Sequence, residues 1–229
     1  MGKRLLEQRT QVDRERFHSP REALELLKGL EGAKFDESVE AHVNLNVDPR
    51  RADQMVRGTL MLPNGTGKTR RVAVFAAGEQ ARAAEEAGAD VVGSDDLAAR
   101  IRDEGFMAFD VAVATPDQMS VVGRLGQVLG PRGLMPNPKS GTVTQDVAQA
   151  VGDIKKGKVE YRVDRYGIIH SILGKKSFDL DSLVQNYFAL REELQRVRPA
   201  PVKGRYFKSV ALTSTMGPSI KVDPNAEKD

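Results

Sequence analysis

The segment Asn64-Gly65-Thr66-Gly67-Lys68-Thr69 is the first place where residue types and spacing could bind a phosphate group. A phosphate-binding loop of the Walker type needs a glycine five positions before its Gly-Lys pair, and Leu62 holds that position. The loop must also lead into a helix whose N-terminus binds the phosphate, whereas the apolar run 71–76 predicts a strand. The sequence therefore excludes a nucleoside triphosphate site at this loop.

Residues that could carry catalysis are present, but none is arranged for it. The chain has no cysteine and three scattered histidines, His18, His42 and His170. It contains neither the nucleophile elbow of serine hydrolases nor the His-Glu-x-x-His motif of zinc proteases. A dinucleotide-binding fold needs three spaced glycines after its first strand, and the central segment offers one, Gly78. The sequence predicts no enzyme, no cofactor and no metal site.

Another set of polar and aromatic side chains could bind RNA. Phe35 follows a lysine just before a predicted strand. One face of that strand carries the hydrogen-bonding residues Ser38, Glu40, His42 and Asn44. Arg162, Asp164 and Arg165 could extend this row from a second strand, and residues 213–218 add hydroxyls, exposed backbone groups at a glycine and a methionine. RNA-binding proteins use such groups against ribose hydroxyls, phosphates and bases. The alternative, which the pattern alone favours, is that Phe35 and Met216 are core residues and the hydroxyls are ordinary strand residues.

The elements that must position these residues lie near both ends of the chain. Ser19-Pro20-Arg21-Glu22 predicts a helix start with a capping box, and residues 39–47 alternate as in a half-buried strand. A second strand is expected over residues 56–62. Residues 159–163 and 168–172 flank a turn and predict a hairpin. A helix from Ser177 and a last strand over residues 206–215 complete this part.

The middle of the chain has a different pattern, in which short apolar runs alternate with helices of about ten residues. The runs lie near residues 71–76, 90–93 and 109–114, and a last helix is expected over residues 145–155. This alternation indicates βαβ units around a parallel sheet. We therefore predict an α/β fold with two domains. A discontinuous α+β terminal domain, residues 1–66 plus 158–229, carries an inserted Rossmann-like three-layer βαβ domain, residues 67–157.

Charge is distributed unevenly between these two domains. Residues 68–157 hold 11 basic and 12 acidic side chains, and the rest of the chain holds 24 basic and 20 acidic ones. A polyanion-facing terminal domain would explain the surplus, although a difference of this size, without other support, favours ordinary solvated lysines and arginines. No run of about 18 apolar residues and no secretory signal is present, so we predict a cytoplasmic protein with no membrane partner.

Several motifs together carry a resemblance to a known family. They include Lys34-Phe35-Asp36-Glu37-Ser38-Val39-Glu40, Leu62-Pro63-Asn64-Gly65-Thr66-Gly67, Thr215-Met216-Gly217-Pro218 and the Gly-Pro-Arg-Gly-Leu-Met-Pro-Asn-Pro loop at residues 130–138. From about Ser19 to Val222 the chain resembles the L-one family of bacterial large-subunit ribosomal proteins. It departs from the family pattern at Met55, where an asparagine is expected. No aromatic residue stands behind the basic residues Lys3 and Arg4 at the amino terminus.

The resemblance implies a structural constituent of the large ribosomal subunit that binds large-subunit rRNA. It also implies a mobile stalk near the exit site, a contact with deacylated exit-site tRNA, and repression of translation through the protein's own operon mRNA. The free protein is expected to be monomeric. The RNA-binding residues carried over from the family are Lys34, Phe35, Ser38, Glu40, Arg162, Asp164, Ser209, Thr213, Thr215, Met216 and Gly217. Hinge residues are expected at Gly65, Gly67 and Gly157, next to the two connections between the domains.

Two rival functions remain open at this point. The first is a nucleotide-dependent enzyme built on the central domain. The second is a translational repressor that acts without the ribosome and therefore differs only in its partner.

Overall fold

The computed structural model describes residues 2–226 and divides into two compact units. The terminal unit contains the residues up to Gly67 and those from Val159 onward, and the central unit is Lys68–Lys158. The predicted α/β fold class is confirmed. Among the described residues, no helix combines the length and the apolar character needed to cross a bilayer.

Helices and strands alternate along the chain in both units. The helices are α1 (Lys3–Thr10), α2 (Pro20–Gly29), α3 (Glu79–Glu86), α4 (Asp95–Asp103), α5 (Met119–Gly123), α6 (Gly126–Leu129), α7 (Val147–Lys155) and α8 (Leu180–Arg196). The strands are β1 (Ser38–Leu45), β2 (Arg57–Met61), β3 (Val72–Phe75), β4 (Val91–Gly93), β5 (Val111–Ala114), β6 (Lys158–Arg162), β7 (Ile168–Lys175), β8 (Phe207–Ser214) and β9 (Ile220–Val222).

The terminal unit is a two-layer structure built on an antiparallel sheet of order β7-β1-β8-β9. The alternation in β1 buries Val39, Ala41 and Val43 and leaves the opposite face open. Helices α2 and α8 cover the buried face, and their leucines join the same core. The predicted capping box forms at Ser19 and Glu22, and Asp179 caps α8 through the N–H of Ser182. One layer of helices therefore leaves a complete sheet face without a cover from α2 or α8.

The predicted hairpin is only partly present. The turn after β6 closes through the N–H of Asp164, which donates to the carbonyl of Ile168 at 2.9 Å. Val163 and Ile169 form one β-bridge beside this turn. The preceding strand, β6, pairs with β2 in a separate two-stranded sheet and not with β7. Gly58 in β2 permits this pairing, because a Cβ at that position would lie 2.9 Å from Cζ of the buried Tyr161.

The central unit is a three-layer structure around the parallel sheet β4-β3-β5. Helices α3 and α7 pack against one face through Ala84, Val147 and Val151. Helices α4, α5 and α6 cover the other face, where Leu97 and Leu129 are fully buried. Strands covered on both sides are continuously apolar, which explains why the runs were recognisable in the sequence.

The three glycines predicted as hinge residues all have positive φ, and each has a local reason for it. Gly65 and Gly67, with φ of 65° and 68°, lie in a loop that α8 holds through Asn186. The Asn186 side-chain amide donates to the carbonyl of Gly65 at 3.0 Å and accepts the N–H of Asn64 at 3.1 Å. Gly157 has φ 105° and follows α7, where its N–H donates to Ile154. Their role as hinges stays a prediction.

Candidate nucleic-acid interface

Four of the predicted RNA-binding residues lie on the open face of the terminal sheet or at its margin. The register places Glu40 opposite Thr213 and Asn44 opposite Ser209. Directly opposite residues of an antiparallel pair point to the same face. Ser209 lies four residues from Thr213, which separates them by about 13 Å along the strand. Asp164 reaches the same face from the turn before β7, through its contact with His170.

A chain of hydrogen bonds crosses this face from β8 to the turn before β7. Thr213 Oγ1 lies 3.3 Å from His42 Nε2, His42 Nδ1 lies 2.8 Å from His170 Nδ1, and His170 Nε2 lies 3.3 Å from the Asp164 carboxylate. An ionised carboxylate only accepts, so His170 Nε2 carries the hydrogen and its Nδ1 accepts from His42. His42 Nε2 then accepts from the Thr213 hydroxyl. The four side chains form one oriented network.

His42 belongs to the polar row predicted on β1, but neither His42 nor His170 was among the RNA-binding residues carried over from the family. His42 stands in the same alternating row as Glu40, so the signal for its exposure was present in β1. The contact between His42 and His170 could not be predicted from the local sequence pattern, because the two residues are 128 positions apart.

Asp164 has a structural role beside its place in this network. Its Oδ1 accepts the N–H groups of Tyr166 and Ile168, both at 2.8 Å, and so shapes the turn. Burial acts to raise the pKa of Asp164, but these hydrogen bonds and the contact with His170 outweigh it and hold the pKa below its ordinary value. The carboxylate is therefore ionised at neutral pH.

Stability is expected to fall as the pH is lowered through the range in which His42 titrates. Burial lowers the pKa of His42 below its ordinary value of 6.5, His170 lowers it further, and Glu40 opposes both. Below pH 6.5 the unfolded chain binds a proton that the folded chain resists, so the free energy of unfolding decreases with falling pH. Urea unfolding at pH 7.5 and 5.5 should show a smaller decrease for His42→Gln than for the wild type. An equal decrease in both proteins would contradict this assignment.

One corner of the sheet joins the start of β1 to the segment after β8. The N–H of Thr215 donates to the Ser38 carbonyl at 3.0 Å, and the N–H of Ser38 donates to the Thr215 hydroxyl at 2.9 Å. We call residues 34–38 and 214–217 the sheet corner. Thr215 is exposed there, as expected, but its hydroxyl oxygen already accepts a hydrogen bond from within the protein.

Ser38 differs from the expectation that it presents its hydroxyl to RNA. It is only 6% exposed, and its hydroxyl faces Lys175 Nζ at 3.4 Å. Lys175 also donates to the carbonyl of Asp36, at 3.0 Å. The physical reason is that Ser38 has partners on both sides, since its backbone is bonded to Thr215 and its hydroxyl to Lys175, whereas Glu40 further along the strand is only half-buried. Its role is to support the sheet corner.

The frame of the sheet corner depends on Glu37, which is 1% exposed. Its carboxylate accepts the N–H of Met216 at 3.0 Å, the N–H of Ala33 and the hydroxyl of Ser214. Burial by itself raises the pKa of Glu37, but these three hydrogen bonds and the charge of Lys176 hold the pKa below its ordinary value. One buried carboxylate thus fixes the loop before β1 and the segment after β8.

Phe35 and Met216 are exposed side chains on this fixed frame. Phe35 is 55% exposed and Met216 is 50% exposed, so the interpretation of both as core residues is wrong. Lys34 is exposed beside them. Gly217 follows directly, and a Cβ at its position would collide with the Ser214 hydroxyl. The sheet corner therefore presents two apolar side chains, one cation and, at Gly217, a stretch of backbone that a ligand can approach closely.

Arg162 belongs to a different sheet from this face, although it precedes Asp164 by only two residues. It is exposed at the end of β6, in the two-stranded sheet, where Arg57 and Glu160 form an ion pair at 2.7 Å. The remaining predicted residues gather on the open face and the sheet corner.

Comparison with known proteins decides the family. The model of the Ribosomal protein L1p/L10e family matches residues 26–218. The chain belongs to this family. It is 81% identical over 228 residues to a protein of Rubrobacter xylanophilus, covering 100% of this chain and 99% of the relative. It is 60% identical over 219 residues to a protein of Thermobifida fusca, covering 96% and 93%. Both relatives are named large ribosomal subunit protein uL1.

Family membership confirms the resemblance found in the sequence and removes one rival. The L1p/L10e proteins are ribosomal proteins and not enzymes, so the hypothesis of a nucleotide-dependent enzyme on the central unit is wrong. As a ribosomal protein of this family, the chain is cytoplasmic, as predicted. Every residue of the sheet corner lies within the range that the family model matches.

Proposed function

We propose that this chain is a constituent of the large ribosomal subunit and binds large-subunit rRNA through the open face and the sheet corner of its terminal unit. The observation that carries the proposal is the exposure of Phe35 and Met216 on a frame fixed by Glu37. Singly exposed apolar side chains are common in globular proteins, whereas apolar side chains exposed together and rimmed by polar groups mark interaction sites. The names of the relatives support the ribosomal assignment.

RNA is the partner that this surface fits best. Unpaired bases can stack on an aromatic ring such as Phe35, and ribose hydroxyls can bond to polar groups such as the half-buried Thr213 and the exposed Ser209. Glu40 and Asp164 on the same face repel phosphates, so charge alone cannot carry recognition there. The surface therefore selects an irregular RNA by the position of its hydrogen-bonding groups and bases.

The finer roles follow from the same surface. We propose that the bound chain forms the mobile stalk near the exit site and assists the release of deacylated tRNA. We also propose that the protein's own operon mRNA competes for the same surface and that translation is repressed in this way. Co-sedimentation with large ribosomal subunits separates this proposal from a repressor that acts without the ribosome. A chain that binds its mRNA but never sediments with the subunits would favour the repressor alone.

The terminal unit is expected to retain most of the affinity for rRNA on its own. We propose that RNA-binding residues lie in the discontinuous domain of residues 1–66 plus 158–229, and the terminal unit has its own hydrophobic core. A chain in which a short linker replaces residues 68–157 should bind an rRNA fragment within about tenfold of the full chain, which is a loss of at most about 1.4 kcal/mol.

The measurement is filter binding of both proteins to large-subunit rRNA fragments at two salt concentrations. An unrelated RNA of equal length serves as the control for charge-driven binding. If the full chain does not prefer the rRNA, the proposed function fails. If the full chain binds specifically and the folded shortened chain does not, only the minor role of the central unit is refuted.

A further inference from the structure

A basic cavity lies in the terminal unit where the chain leaves the sheet corner. It has a volume of about 320 Å³. Its lining consists of Arg9, Val12, Arg14, Pro218, Ser219 and Lys221. Among these lining residues three carry a positive charge and none carries a carboxylate. Apart from Pro218, all of them lie outside residues 26–218, the range that the family model matches.

The backbone segments that carry these cations are held by hydrogen bonds that leave the charges themselves unneutralised. Helix α1 is fixed by Arg4, which donates to the Gly32 carbonyl at 2.9 Å, and by the Gln8 amide, which donates to the Glu31 carbonyl. This places Arg9 at the cavity. On the other side, the N–H of His18 donates to the Lys221 carbonyl at 3.1 Å, so the chain around residues 14–18 runs beside β9.

The charges around the cavity lack acidic partners within the described residues. No ion pair involves Arg9, Arg14 or Lys221 in residues 2–226, and Lys221 Nζ lies 5.9 Å from the centre of the Phe17 ring. Arg9 Nε is buried and has no hydrogen-bond acceptor in the described part of the chain. Within the described residues the three cations at the cavity therefore have no carboxylate to neutralise them, which favours an anionic ligand there.

We infer that this cavity binds a phosphate group of the RNA backbone. Arginine matches the geometry of phosphate with paired N–H donors, Lys221 adds charge, and the Ser219 hydroxyl adds a further donor. The volume of about 320 Å³ suits a single nucleotide unit.

The position of the cavity connects it to the proposed RNA surface. Gly217 at the sheet corner and Ser219 at the cavity are two residues apart, so their Cα atoms lie within about 8 Å. An RNA strand seated on Phe35 and Met216 can therefore place its next phosphates in the cavity. The identification of the ligand as RNA rests on the proposed function. The binding of phosphate to the cavity can also be tested separately with inorganic phosphate.

The test compares cavity variants with a variant that removes the same charge elsewhere. One phosphate contact contributes roughly 0.7–0.9 to the slope of the logarithm of the binding constant against the logarithm of the salt concentration. Arg9→Gln and Lys221→Gln should each lose one such contact. The ratio of wild-type to variant affinity for the rRNA fragment should therefore be about sixfold larger at 0.1 M salt than at 1 M salt. Arg124→Gln, which removes an exposed arginine of the central unit, should leave that slope almost unchanged. Arg9→Lys should keep most of the slope.

Circular dichroism and thermal unfolding of each variant establish that the fold is retained. Slopes for Arg9→Gln and Lys221→Gln equal to that of Arg124→Gln would overturn the inference while leaving the proposed function intact. Stabilisation of the wild type by millimolar inorganic phosphate, lost in Arg9→Gln without any change in RNA binding, would assign the cavity to free phosphate and overturn the RNA assignment. Absence of any rRNA binding by the wild type would instead refute the proposed function.

Discussion

Replacing Phe35 and Met216 together with alanine is expected to weaken rRNA binding by more than tenfold while leaving the protein folded. Stacking of one base on an aromatic ring contributes about 1–3 kcal/mol, which alone corresponds to a factor of roughly 5 to 150 in affinity. Loss of the Met216 side chain removes further apolar contact. Both side chains are at least half exposed in the free protein, so their truncation removes almost no packing.

The free energy of unfolding of this double variant should remain within about 0.5 kcal/mol of the wild type. Filter binding gives the affinity, and urea unfolding gives the stability. Met61→Ala is a matched control, because Met61 is 40% exposed in β2 and lies outside the proposed surface. Unchanged affinity of the double variant, or an equal loss in Met61→Ala, would contradict the role of the sheet corner.

The sequence predicted the parts of the fold that depend on local patterns. The alternation in β1 and the apolar runs at Val72–Phe75 and Val111–Ala114 identify strands, because burial on one or both faces fixes the period. Helix α1 was missed because its eight residues, Lys3–Thr10, are mostly polar and it is held by tertiary hydrogen bonds to the loop before β1. Strand β9 was missed because it has only three residues.

Long-range pairing decided what the sequence could not. The local pattern predicts that β6 and β7 form a hairpin. In the structure β6 instead pairs with β2, about a hundred residues earlier in the chain, and Arg57 of β2 forms an ion pair with Glu160 of β6. The same limit applies to the site. Alternation marked Glu40 as exposed, whereas the burial of Ser38 and the support from Glu37 depend on Thr215 and Met216, which are distant in sequence.

Removing the Glu37 carboxylate is expected to have the largest effect on stability. Glu37→Ala leaves the N–H groups of Ala33 and Met216 and the hydroxyl of Ser214 without their acceptor in a buried site. Loss of several charge-assisted hydrogen bonds should lower the free energy of unfolding by about 3–5 kcal/mol. Affinity for rRNA should fall as well, since the segment that carries Met216 loses its attachment. Glu31→Ala, an exposed carboxylate of the same loop, is the matched control and should change neither quantity.

The pH dependence of this variant separates the carboxylate's charge from the volume of the side chain. The pKa of Glu37 is lower in the folded chain than its ordinary value of 4.5, so its contribution is complete above that value and decreases as the pH falls through the folded-state pKa. The difference in free energy of unfolding between wild type and Glu37→Ala should therefore be constant from about pH 7 to pH 5 and become smaller in more acidic solution. A difference that stays constant down to pH 3 would mean that packing, and not the ionised carboxylate, holds the sheet corner together.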